Sequence, residues 1–213
     1  MNLPRILKAI GFGRIGKMFI PQIFRDLLKQ NAETHKKLGE LPLLKRLEQP
    51  DVTCDQYVAV LKKTYGLYVA LEPHLEAAVK RHAIGINFDE RRKLPMLERD
   101  LAKFGVSGDE LANIPTCQNL PDVCTLSKAL GCMAVIEGST AGATATAKKL
   151  ACSNLKLTAA NGAEFYNNYQ DRHNEMRMQF AQVVQDKKVN EPEFLAAGKE
   201  TFDTFYNWLA NGQ

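Results

Sequence analysis

The stretch GSTAGATATA, residues 138–147, runs for ten residues without a large side chain. It lies inside a run from about Leu126 to Leu150 whose pattern otherwise predicts one long helix. Glycine inside a helix costs about 1 kcal/mol relative to alanine, so Gly138 and Gly142 need a reason. Four residues apart, they share one helix face and open a groove in which something flat can touch the backbone. The competing reason is close helix–helix packing of the small-xxx-small kind. Both reasons presuppose a helix.

The rest of the chain has the same character. No sustained period-two alternation is found, and the Asn161-Gly162 pair is followed by a helical pattern rather than a second strand. Thr53-x-x-Gln56 is a capping box opening a helix to about His82, with Tyr57, Leu61, Tyr65, Tyr68 and Leu71 on one side. Ser107-x-x-Glu110 and Asn161-x-x-Glu164 read as further helix starts, and Pro192 suits the first turn of a last helix. Helix ends are expected near Gly85, Gly105 and the Ile114-Pro115 step. With no internal repeat or low-complexity linker, the expected fold is all-α: a single-domain helical bundle over residues 25–213, behind a basic N-terminal extension, residues 1–24.

Charge marks that extension. Net charge over 213 residues is only +4, yet residues 1–50 hold ten Lys/Arg against four Asp/Glu, and no acidic residue precedes Asp26. A solvated helix face is the plain reading; the functional ones are a membrane-surface helix making weak contact through residues 1–24, a targeting segment or an anion-binding rim. Basic residues are not interleaved with aromatics, which argues against nucleic acid. No apolar run is long enough to span a bilayer. GFGRIG, residues 11–16, matches GxGxxG, but no strand feeds it, and Pro21 interrupts the helix that should follow. A dinucleotide site is therefore not expected. The five cysteines are odd in number and never spaced CxxC, so free thiols in a reducing cytoplasm are expected rather than disulfides or zinc.

Of four histidines, His35 stands out. It lies in LLKQNAETHKKLGELPLL, a helical pattern flanked by Lys29, Lys36 and Lys37. A neutral imidazole with apolar neighbours and a cationic rim suits haem, whose iron takes an axial nitrogen and whose propionates take Lys or Arg.

At this point the sequence resembles the haem oxygenases. HKKLGELPLLKRL is similar to the proximal segment of bacterial members, with His35 at the ligand position. YGLYVALEPHLE (65–76) resembles the family's second long helix, and FDERRKLPMLERDLAKFG (88–105) its run ending in L-E-x-D-L. VIEGSTAGATATAKKL (135–150) resembles the distal helix, whose bacterial version reads EGS-x-x-G. GAEFYNNYQDRHNEM (162–176) and ETFDTFYNWL (200–209) resemble the last two helices. The similarity spans roughly residues 25 to 210 in the family's order.

The resemblance implies haem as both cofactor and substrate, opened by O2 to biliverdin, CO and ferrous iron. An external electron donor, a reductase or ferredoxin, is implied too. His35 would be the metal ligand, while Gly138, Ser139 and Gly142 would form the catalytic distal face. Lys29, Tyr169 and Arg172 would take the polar edge, and Phe202 would touch the ring. The chain departs from the animal pattern at Ser139, where an aspartate is usual, and at Tyr166 and Gln170, where basic residues are usual. Met133 replaces a tyrosine and Gly39 a glutamate. These departures motivate an alternative, a non-catalytic haem-binding carrier or sensor with the same fold. A di-iron relative would need Glu-x-x-His pairs that Glu137, Glu164, Glu175 and His173 do not form. For a thiol mechanism, Cys132 is the candidate.

Overall fold

The protein, seen as a computed structural model, is described over residues 21–211. GFGRIG and most of the basic extension lie outside those residues. Two short helices, α1 (Gln22–Gln30) and α2 (Ala32–Gly39), meet at Asn31, whose side chain donates back to Leu27 O at 2.9 Å. A single turn, α3 (Pro42–Lys45), leads into α4 (Cys54–Arg81). Then come α5 (Leu94–Lys103), the short α6 (Gly108–Ala112), α7 (Leu126–Cys152), α8 (His173–Asp186) and α9 (Glu191–Ala210). No strand occurs among the described residues.

The long helices begin where their side chains satisfy orphan amides. Thr53 and Gln56 form the full reciprocal capping box of α4. Thr125 caps α7, and Asn190 caps α9 with Pro192 in its first turn. Gly105, at φ 82°, turns the chain just after α5. One expected start fails. Ser107 stands at the N-terminus of α6 as expected, though without a side-chain cap, but no α-helix opens at Asn161. Asn161 instead accepts from Thr158 N at 2.6 Å, closing a turn in which Gly162 has φ 121°. Glu164 pairs with Arg99 at 2.8 Å instead of closing a capping box.

The core is built on α7, which α9 follows along its length and α4 also touches. Leu61, Leu71, Leu97, Leu101, Leu130 and Leu150 are fully buried in it. The small-residue packing expected of α7 occurs at Gly131, where an added Cβ would lie 2.3 Å from Phe194 O of α9. Gly198 of α9 is closed in the same way by Leu27 of α1. The segment between α7 and α8 is held from a distance: Tyr57 donates to Gly162 O at 2.7 Å, and buried Asp100 accepts from the amides of Glu164 and Phe165 at 2.8 and 2.9 Å. These bonds set Phe165 and Tyr166 against α7.

Candidate functional site

Gly138 and Gly142 differ from Gly131. An added Cβ at either would meet nothing within 4 Å. Helix packing therefore accounts for Gly131 and not for these two, and the face they leave bare is open. Ser139 and Thr140 turn their hydroxyls onto the backbone, donating to Ile136 O and Glu137 O at 2.7 Å each.

Gly142 and Ser139 line a cavity of about 410 Å3 whose other walls include His35, Leu38 and Gly39 of α2, Leu67 and Tyr68 of α4, Phe165, Tyr166, and Phe205 of α9. The walls are mostly apolar, as ligand cavities are. His35 is half-buried, and desolvation holds its imidazole below the ordinary histidine range, which favours the neutral ring a metal ligand requires. Phe202 of α9 is buried and meets the His35 ring edge to face, with centroids 6.0 Å apart. The one cavity thus brings together His35, Ser139 and Gly142, with Gly138 bare on the same helix and Phe202 behind the imidazole.

The residues assigned to a polar edge are elsewhere. Lys29 is exposed at the end of α1 and is not among the lining residues. Arg172 is exposed and bound to Glu90 at 2.8 Å and Glu175 at 3.1 Å. Tyr169 turns inward from a left-handed backbone position, φ 61°, and its hydroxyl donates to Glu137 Oε1 at 2.8 Å. Burial and that carboxylate both push its phenol well above the ordinary tyrosine range. Cys132 is fully buried, its thiol pushed up to about 12 by desolvation, so it is no nucleophile.

Sequence reading missed a buried polar cluster behind the cavity. Arg91 and Glu137, nearly inaccessible, form an ion pair at 2.8 Å, and Arg91 also donates to Met176 O at 3.1 Å. Glu72 of α4 accepts from the backbone amides of Lys93 and Leu94. A cavity of about 10 Å3, room for about one water, lies between Tyr68, Glu72, Arg91, Met133 and Glu137. Lys93 and Asn168 reach the wall of the large cavity, and Tyr68 sets its phenol beside Ser139. In the sequence Lys93 lies inside the 88–105 block that resembles the family, where nothing local marks its ammonium as buried.

Comparison with known proteins gives this arrangement a family. The heme oxygenase family profile matches residues 22–211. The chain belongs to the haem oxygenase family. Two solved structures share the fold. One is the NO- and CO-bound heme oxygenase from Neisseria meningitidis, with TM-score 0.69 and 17% identity over 88% of this chain and 89% of that one. The other is heme oxygenase from Leptospira interrogans, with TM-score 0.68 and 18% identity over 88% of this chain and 98% of that one. Comparison with curated protein sequences returns no match. No helix among the described residues is long and apolar enough to cross a membrane.

The residues present fit a haem. The bare glycine face leaves room for a flat ring against backbone, the half-buried imidazole is biased toward its neutral form, and the cavity between them is largely apolar.

Proposed function

We propose that this chain is a working haem oxygenase, binding haem in the His35 cavity and opening its ring with O2 to biliverdin, CO and ferrous iron. One observation carries the reading: Gly138 and Gly142 are bare where alanine would fit and would be the better helix former, beside a cavity that also holds a half-buried histidine. Haem, when bound, supplies the redox iron and the O2 chemistry and is itself the substrate. His35 would hold it by the imidazole, a neutral ligand that does not push as strongly as a thiolate toward O–O cleavage. The glycine face would let the α7 backbone come close to one side of the ring, so that reactants are oriented rather than driven by a strong acid. Ser139, whose hydroxyl is committed to Ile136 O, keeps its oxygen lone pairs to hold a water, and the Tyr68 phenol lies beside it. Electrons come from a separate reductase or ferredoxin, and the protein acts in the cytoplasm. The basic segment 1–24 remains, on this reading, a candidate membrane-surface contact.

The test is turnover: the hemin complex in air with ascorbate or reduced ferredoxin. Decay of the Soret band into a biliverdin absorption, with CO release, is the expected result. A second reading, a haem carrier or sensor, draws on one observation: Lys29, Tyr169 and Arg172 do not line the cavity. Stable hemin binding without ring opening under several electron donors would select it.

A further inference from the structure

Lys93 is 1% exposed, yet its Nζ has no hydrogen-bond partner among the described residues. The ammonium rests 4.0 Å from the centroid of the Tyr169 ring, a cation–π contact that occupies one side of it. Lys93 also lines the His35 cavity and, His35 apart, is the only basic side chain among the described lining residues. Asn168 shares that wall, and its Oδ1 is likewise buried without a partner. The charged and titratable groups that face the ammonium are Glu72 from α4, Arg91 from the turn before α5, Glu137 from α7 and His173 from α8. Two carboxylates thus offset two fixed cations, so the cluster is balanced with Lys93 charged. Burial pushes its pKa down to about 8, which leaves it an ammonium at neutral pH.

A buried ammonium is a donor-only group, and withholding acceptors from it carries a large desolvation cost. That cost falls when the cavity's occupant offers an anionic acceptor. We propose that Lys93 is an anion-binding group inside the cavity, taking either an anionic substituent of the flat molecule held there or a small anion bound beside it. The inference deepens the haem reading and rests on it for the identity of the flat molecule.

The apoprotein tests it without haem. Wild type, Lys93→Met and Lys93→Met/Glu72→Gln, which keeps the buried charges balanced, are titrated with 1-anilinonaphthalene-8-sulfonate and with uncharged N-phenyl-1-naphthylamine. Loss of a charge-assisted hydrogen bond should weaken sulfonate binding about tenfold or more in both variants, leaving the neutral probe within about threefold. Sulfonate binding unchanged by the substitutions, or both probes lost in step in both variants, would overturn the proposal. The hemin complex then separates the two sources. If Lys93→Met weakens hemin but not hemin dimethyl ester, the anion is a propionate; if it weakens only fluoride binding by the complex, the anion is a separate ligand. Sulfonate selectivity in a wild type that does not bind hemin would sink the haem reading and leave the anion site standing.

Discussion

The Tyr169 hydroxyl donates to Glu137 Oε1 at 2.8 Å, and Glu137 is the residue immediately before Gly138. Tyr169 therefore acts on α7 from behind rather than on the cavity's outer edge. Together with Arg91 it holds Glu137 at the point where the bare face begins.

Tyr169→Phe removes a hydrogen bond to a buried carboxylate and should cost about 1.5–3 kcal/mol of stability. Hemin affinity should change by less than about threefold (order of magnitude from the absence of a direct contact). Urea unfolding and hemin titration of the same variant measure both. A large loss of hemin affinity with unchanged stability would instead make Tyr169 a direct contact.

The glycines of α7 should divide into two classes. Gly138→Ala and Gly142→Ala should each leave apoprotein stability unchanged or raise it by up to about 1 kcal/mol, because the new methyl meets nothing. Gly131→Ala should destabilise by about 1–3 kcal/mol or more, since its Cβ would strike the Phe194 carbonyl backbone. Gly142→Leu should fold and lose hemin affinity. Thermal melts of the three alanine variants suffice to check the division; destabilisation by all three would return Gly138 and Gly142 to a packing role.

Breaking the Arg91–Glu137 pair should be severe. Arg91→Met strands Glu137 at a site 5% exposed and should cost about 3–5 kcal/mol. Arg91→Met combined with Glu137→Leu removes both charges and should recover part of that loss. A single variant as stable as wild type would mean that Tyr169 and Lys93 suffice to hold the carboxylate.

How far was this legible in the sequence? The elements set by contacts within four residues were: the Thr53–Gln56 box, the Asn190–Pro192 start and the whole span of α7. Asn161-x-x-Glu164 misled because Asn161 turns back to close a local turn with residues 156–158, while Glu164 answers to the distant Arg99. The cavity's histidine and glycines were visible because a glycine in a helix interior is locally unfavourable and asks for an explanation. Lys93 and Arg91 were not, nor was the bond of Tyr169 to Glu137, since their meaning depends on bonds and ring contacts spanning from 21 to 85 residues of chain. A charge run carries no local sign that one of its members is buried.

Alkaline pH should stabilise the protein through Lys93. Its folded pKa is about 8, against about 10.4 in an unfolded chain. Between those values the unfolded chain binds the extra proton, so stability rises with pH through the window. The full gain is on the order of 3 kcal/mol. Urea midpoints at pH 7.5 and pH 10 should rise for wild type relative to Lys93→Met; parallel curves would contradict a buried ammonium.

The most direct test of the site is a hemin titration of wild-type and His35→Ala apoprotein followed by absorption spectroscopy. Wild type should give a Soret band that saturates at one hemin per chain with the spectrum of an imidazole-ligated iron. The variant should lose that spectrum and regain it with added imidazole. Identical spectra for the two proteins would take His35 off the metal, and no Soret growth in wild type would remove haem from the cavity altogether.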